Sequence, residues 1–248
     1  MHPGAYAAMY AFEEDYWWFR AKREYVRRLI QRHLFIENRD RFLILDCGCG
    51  TGRNLIFLSR YGRVIGIDNS DIAIAYCQRN GLGEKVRKAD IEHLSCISDE
   101  FDLVTALDVL YHRAVRDDVA ALRVCYRVLK PGGHLLLTDS AFNFLKSTHD
   151  IAVQARERYT LASMENRLRQ AGFTVIHMSY TYMATFPLVM MVRMLKKTKS
   201  PTQQVESDVK PIAHFLNKFL TVVLGWEAKL AARYRLPVGS SIMMLARK

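Results

Sequence analysis

Residues 45–54 read Leu-Asp-Cys-Gly-Cys-Gly-Thr-Gly-Arg-Asn and follow the apolar run Phe42-Leu43-Ile44. Alternating glycines at Gly48, Gly50 and Gly52 let backbone approach a ligand with no Cβ between them. The residues after them, from Arg53, read as a helix whose first turn offers unpaired N–H groups and a positive dipole end. The spacing is G-x-G-x-G, not the G-x-G-x-x-G of a dinucleotide-binding turn. Asp46 stands where a pyrophosphate would be repelled, so a cationic ligand without phosphate fits better. Further carboxylates follow at the ends of apolar runs: Asp68, 22 residues past Asp46, then Asp90 and Asp108.

The elements that must position these groups alternate between strand and helix. Strand patterns run over 42–47, 64–68, 86–89, 101–107 and 134–138. Helical patterns run over 53–60, 71–79 and 116–129. Ser70 or Asp71 is the expected cap of the second helix. Lys130-Pro131-Gly132-Gly133 is expected to stop the third helix ahead of the fifth strand. Such alternation implies an α/β protein with a parallel sheet and helices on both faces. Beyond it, 161–170 reads as helix, 173–182 as a long strand and 241–246 as a final apolar strand. Residues 1–40 read as two helices ahead of the first strand.

Composition narrows the class. Half of the 248 residues are apolar, enough for a sizeable core and unlike a disordered chain. Apolar runs stop well short of the roughly 18 to 20 residues of a membrane span. Met1-His2-Pro3-Gly4 is not a basic region leading into an apolar one, so no secretory signal is expected. Five cysteines with one C-x-C pair, Cys47 and Cys49, suggest reduced thiols in a cytoplasmic protein rather than a zinc site, so no metal is expected. Residues 183–248 hold 11 Lys and Arg against 3 acids, and residues 1–182 hold 25 against 22, so most of the net charge of +11 belongs to the last quarter. An anionic partner is the reading there, against a merely solvated basic face.

The run from Asp46 to Gly52 resembles the first motif of class I S-adenosylmethionine-dependent methyltransferases, and Leu129 to Gly133 resembles the turn before that family's fifth strand. Trp17-Trp18-Phe19-Arg20, Thr148-His149-Asp150, Arg158-Tyr159-Thr160, Ala171-Gly172-Phe173 and Leu236 to Ser241 extend the likeness to a type 11-like subgroup of small bacterial methyltransferases. These often accompany biosynthesis of polysaccharides, glycolipids or secondary metabolites. The resemblance implies a Rossmann-like seven-stranded sheet in the order 3-2-1-4-5-7-6, its last strand antiparallel, with a helical N-terminal cap. Residues 1–248 then form one methyltransferase domain. Its parts are a cap at 1–40, a cofactor-binding core at 41–140, substrate-side insertions at 141–159 and 183–240, and the closing strand at 241–248.

With that resemblance the cofactor is S-adenosylmethionine. Gly48, Cys49, Gly50, Gly52 and Asn54 would line its methionine and ribose portions. Asp46 would face the amino group, directly or through water. Asp68 would accept both ribose hydroxyls in a charge-assisted pair, with Asn69 at the adenosine edge. Asp90 and Ile91 would meet adenine, and Leu107 and Asp108 would lie under the methionine moiety. Trp18 is read as part of a lid, and Arg20 or Arg23 would meet a carboxylate of cofactor or substrate.

Methyl transfer from a sulfonium is an in-line displacement in which alignment contributes most. A base helps only where the acceptor has a proton to lose. His112 is the favoured base because an imidazole titrates near working pH, with Tyr111 beside it. His149 and Asp150 are expected substrate contacts, and Tyr159 with Arg156 and Arg158 would orient an acidic or hydroxylated acceptor.

These residues predict methyl transfer to O or N of a small molecule of glycosyl, lipid-linked or natural-product type. The alternatives are a catalytically altered S-adenosylmethionine-binding partner subunit and an RNA methyltransferase, the latter disfavoured by the lack of an RNA-binding platform. Helical apolar spacing over 186–197 and 211–235 predicts packing on the domain or a homodimer. The alternative is peripheral contact between 186–235 and an anionic lipid surface, placing the protein at the inner face of the membrane.

Overall fold

A computed structural model describes residues 3–94, 100–197 and 211–248. Cys96 and residues 198–210 of the second insertion lie outside the described residues. Two helices come first, α1 (Pro3–Phe12) and α2 (Trp17–His33). The alternating core follows as β1 (Leu43–Cys47), α3 (Arg53–Leu58), β2 (Arg63–Asp68), α4 (Asp71–Arg79), β3 (Val86–Lys88), β4 (Phe101–Leu107), α5 (Asp118–Val128) and β5 (Leu129–Ser140). Then come α6 (Thr148–Ala152), α7 (Leu161–Gln170), β6 (Thr174–Thr181), α8 (Phe186–Lys197), α9 (His214–Ala231) and β7 (Ser241–Arg247).

The sheet order is β3-β2-β1-β4-β5-β7-β6, with β7 antiparallel to both β5 and β6. The order expected from the resemblance is the observed one. β1 is an interior strand beside the central β4, with Asp46 opposite Gly66 on one neighbour and Thr105 on the other. Strands covered on both faces must be apolar nearly throughout, and β1 and β4 are. One face packs against Ala121, Leu122 and Cys125 of α5 and Leu161, Met164 and Leu168 of α7. The other packs against α2, α3 and α9 through residues such as Val26, Leu55 and Ala228.

Local chemistry explains several boundaries. Ser70 accepts from the Ala73 N–H and caps α4, and Asp117 caps α5 by accepting from Val119 and Ala120. Ser147 and Asp150 form a reciprocal capping box that starts α6. Lys130 to Gly133 departs from expectation. It is not a turn ahead of the fifth strand but a bulge within β5, because the register against β4 jumps from Phe101–Leu129 to Leu103–His134. Lys130 is held there by Asp102 at 2.8 Å.

Candidate functional site

A cavity of about 470 Å³ opens at the carboxyl ends of β1, β2 and β4, where ligands bind in open α/β sheets. Its floor is the glycine turn. Gly48 has φ +71°, and a Cβ there would sit 2.6 Å from Val109 Cγ2 on the cavity wall; at Gly50, φ +56°, a Cβ would crowd Met9 Cε at 3.1 Å. Positive φ therefore disfavours larger residues at both positions, and at Gly48 the space does so as well. Cys49 and Asn54 join the floor. The Cys49 thiol is pushed up by its hydrogen bond with Cys77 and by burial, so it stays protonated.

Asp68 ends β2 and lines the cavity. One carboxylate oxygen accepts the Gly50 N–H at 3.0 Å and the other the Ser70 N–H at 2.9 Å. Burial raises its pKa, and these backbone donors offset part of that rise. Asn69, Asp90, Ile91, Leu107 and Asp108 also line the cavity. Asp108 adopts φ +61°, a left-handed conformation that Asp tolerates and that recurs at functional positions. It forms an ion pair with Lys22, whose ammonium lies 4.0 Å from the centre of the Trp18 ring. Tyr111, His112, His149 and Val153 extend the wall toward the first insertion. That insertion is fixed to the loop after β4 by the Arg113 N–H to Gln154 carbonyl and Arg156 N–H to Tyr111 carbonyl bonds, at 2.9 and 2.7 Å.

Several expected site residues are placed elsewhere or behave differently. Asp46 is buried off the cavity wall, where Thr105 Oγ1 donates to it at 2.6 Å. Its second oxygen has no hydrogen bond, and burial pushes its pKa up to about 7. Gly52 serves packing: a Cβ there would meet Leu82 Cδ1 at 2.6 Å and Cys77 Sγ at 3.0 Å. Arg20 is exposed and off the cavity, because a residue two positions along a helix from Trp18 points away from it. Lys22, at the next-turn spacing, faces inward instead, and Arg23 lines the cavity with it.

His112 does not titrate near working pH. Burial, with Arg113 adding repulsion, lowers its pKa to about 4. Its Nδ1 accepts the Ala114 N–H at 3.1 Å, which leaves the proton of the neutral ring on Nε2. Tyr111 is no phenolate base either, since burial and the nearby Asp108, Asp139 and Asp150 push its phenol well above the usual value. Tyr159, Arg156 and Arg158 hold the scaffold rather than a ligand. Tyr159 donates to buried Asp118 at 3.1 Å, Arg156 pairs with Asp118, and Arg158 binds Asp150 at 2.6 Å.

The structure adds cavity residues that the sequence reading missed. Tyr6, Met9 and Glu13 come from the cap, and Thr51 from the turn, its hydroxyl donating to Glu13 at 2.6 Å. Burial raises the Glu13 pKa despite that bond and the nearby Arg53. Lys22 carried a usable signal, being a cation spaced with Phe19 and Val26 on the apolar face of α2. The cap residues carried none. Among the described residues no group of three or more His, Cys, Asp or Glu side chains is arranged to hold a metal.

Residues 45–137 match the family model described as a methyltransferase domain. A ubiquinone biosynthesis O-methyltransferase from Methylocella silvestris is 37% identical over 138 residues, covering 50% of this chain and 53% of that protein. Phosphoethanolamine N-methyltransferase 3 from Arabidopsis thaliana is 26% identical over 199 residues, 75% of this chain and 38% of that one. The chain thus spans about half the length of the first of these relatives and less of the second. A solved S-adenosylmethionine-dependent methyltransferase from Thermotoga maritima superposes with a TM-score of 0.57 over 100% of both chains at 19% identity, a likeness of fold. Sheet order and glycine turn are those of the class I S-adenosylmethionine-dependent methyltransferase fold, and the matched segment is that of a methyltransferase domain. Within that class, residues 45–137 are a methyltransferase domain of the matched family, and the cofactor of the class is S-adenosylmethionine.

Proposed function

We propose that this chain is an S-adenosylmethionine-dependent methyltransferase acting on O or N of a small-molecule acceptor of glycosyl, lipid-linked or natural-product type. The observation that carries this reading is one cavity running from the glycine turn and Asp68 to His112 and His149. The cofactor's chemistry is an electrophilic methyl on a sulfonium. The wall suits such a zwitterionic cation, since it offers carboxylates at Asp68, Asp90 and Asp108 and cations at Lys22 and Arg23.

In this proposal Asp68 accepts the ribose hydroxyls through lone pairs left over from its two backbone donors. Asp90 and Ile91 hold adenine. The backbone of Gly48 to Gly50, with Cys49 and Asn54, seats the ribose and methionine portions. Leu107 and Asp108 lie beneath the latter, and Lys22 or Arg23 takes the carboxylate in place of Arg20. Trp18 closes the cap side. Asp46 acts from behind the wall, through water at most. His112 donates from Nε2 to orient the acceptor, and His149 contacts it from the insertion. The nucleophile then needs alignment more than deprotonation, which favours acceptors already nucleophilic or acidic at neutral pH.

We read residues 1–248 as one methyltransferase domain with cap, core and two insertions, acting in the cytoplasm with peripheral contact at the inner membrane face. The free thiols Cys47, Cys49, Cys77 and Cys125 support a reducing compartment. Among the described residues no helix is long and apolar enough to cross a membrane.

Calorimetric titration with S-adenosylmethionine, followed by labelled-methyl transfer to an acceptor panel, tests the reading. The panel starts from the acceptor kinds carried in the relatives' names, a ubiquinone precursor hydroxyl and phosphoethanolamine. Failure to bind the cofactor would refute the whole proposal. Binding without transfer to any member would favour a catalytically altered partner subunit.

A further inference from the structure

α9 has one packed face and one bare face. Leu224, Glu227, Ala228 and Ala231 are buried. On the opposite side Phe215, Phe219, Val222, Trp226 and Leu230 are 79%, 53%, 53%, 63% and 51% exposed. At roughly 100° per residue these five fall within an arc of about 80°, so they form one stripe. Lys218 and Lys229 flank it, and Arg233 follows beyond the helix end; all three are exposed. The Lys229 ammonium sits 4.1 Å from the centre of the Trp226 ring. α8 adds Leu188, Met191, Val192 and Met194, all exposed. The sole acid in the two helices, Glu227, is buried and occupied by the Tyr25 hydroxyl at 2.8 Å and the Met183 and Ala184 N–H groups.

We propose that the exposed apolar and basic stripe of α9 docks the protein onto an anionic phospholipid surface. Charge decides between the occupants. A second copy laid on this face would set Lys218, Lys229 and Arg233 against the same cations, and among the described residues of α8 and α9 no exposed acid answers them. An anionic bilayer answers them, while its interfacial zone accepts the aromatic and aliphatic stripe. Trp beside Lys is the pairing expected at headgroup level, with an apolar body inward and a cation outward.

The two helices are also each fastened to a segment that lines the cavity. Arg193 of α8 donates to the Leu145 carbonyl and, at 2.8 Å, to Ser147 Oγ, next to the segment that carries His149. Asn217 of α9 accepts the Trp17 N–H at 2.8 Å and donates to the Asp15 carbonyl at 2.9 Å, next to Trp18 and Glu13. Docking through α9 therefore holds the cap segment that lines the cavity beside the bilayer, where an acceptor with an apolar tail resides. That consequence rests on the proposed methyl transfer; the docking itself does not.

Co-sedimentation with vesicles of phosphatidylcholine alone, or mixed with phosphatidylglycerol, tests the docking. The expected result is binding to the mixed vesicles only, weakened by salt, with a blue shift of tryptophan emission that Trp226→Phe removes. Lys218→Gln with Lys229→Gln should weaken binding roughly 30-fold, from about 1 kcal/mol per basic side chain at an anionic surface. Phe219→Ser with Trp226→Ser should abolish it. Both double variants should keep the wild-type melting temperature and cofactor affinity. Equal binding to both vesicle types, no binding to either, or a salt-insensitive dimer dispersed by the serine pair would overturn the proposal. Loss of cofactor binding in the wild type would refute the methyl-transfer reading and leave the vesicle result standing.

Discussion

Replacing Asp68 with Asn keeps the side chain's size and changes its charge and one acceptor. In the native chain both carboxylate oxygens accept a backbone N–H, from Gly50 at 3.0 Å and from Ser70 at 2.9 Å. An amide can satisfy only one of these and turns an N–H₂ toward the other donor. Losing that bond costs folding about 1 kcal/mol. The bound ribose loses more, since a hydrogen bond to a charged acceptor contributes about 1.5–3 kcal/mol, which corresponds to a roughly 10- to 150-fold weaker dissociation constant. Titration calorimetry with S-adenosylmethionine and S-adenosylhomocysteine measures it, and thermal melting separates the folding term. Burial raises the Asp68 pKa. Native affinity should therefore fall as pH drops toward that raised value, earlier than an ordinary carboxylate would allow, while the Asn variant stays flat. Unchanged affinity in a variant with a lowered melting temperature would show that Asp68 only braces the turn, and the ribose assignment would fall.

Other outcomes follow from the same geometry. His112→Ala should slow transfer while leaving cofactor affinity intact. With His112 lowered to about 4, the native rate should show no inflection from this group between pH 6 and 8; such an inflection lost in the variant would restore it as a base. For Asp46 the folded pKa, about 7, lies above the ordinary value of 3.8. The folded state is thus favoured below the unfolded pKa and loses that advantage as pH rises through 7, by up to ~4 kcal/mol for a three-unit shift. Asp46→Asn should accordingly flatten the fall in stability between pH 5 and 8, and a parallel fall in both proteins would contradict this. Glu227→Ala strands the Tyr25 hydroxyl and the Met183 and Ala184 N–H groups. A loss of about 3 kcal/mol or more in denaturant unfolding is expected, and a loss below about 1 kcal/mol would mean that water replaces the carboxylate.

Much of the core was legible because its signals are local. A strand buried on both faces must be apolar, and a turn of positive-φ glycines must be glycine, so β1 and the 48–52 turn are written in consecutive residues. Asp68, Asp90 and Asp108 share the cavity wall because each stands at or just past a strand's carboxyl end, and strand ends share one rim of a parallel sheet. The errors lie where orientation matters. Arg20 and Lys22 are two residues apart on α2, yet only Lys22 faces the cavity. Asp46 and Cys49 belong to one motif, yet the Asp46 side chain turns under the sheet to Thr105. Lys130 to Gly133 has turn composition, yet Leu129 and His134 pair with β4 on either side of it and make it a bulge within β5.

The sequence by itself determined the α/β class, the glycine turn that faces the cavity, the carboxylates at the strand ends and the basic, apolar last quarter. All of these depend on residue type and short-range spacing. Tertiary structure alone decided that Tyr6, Met9 and Glu13 close the cavity, that Tyr159 and the arginines beside it brace the first insertion, and that one face of α9 stays bare. It also decided the state of His112, through burial that no window of neighbouring residues encodes. Such properties arise from contacts between segments far apart in the chain, as when Glu13 meets Thr51 or Tyr25 meets Glu227. Burial, and with it the charge a group carries, exists only once those segments have packed.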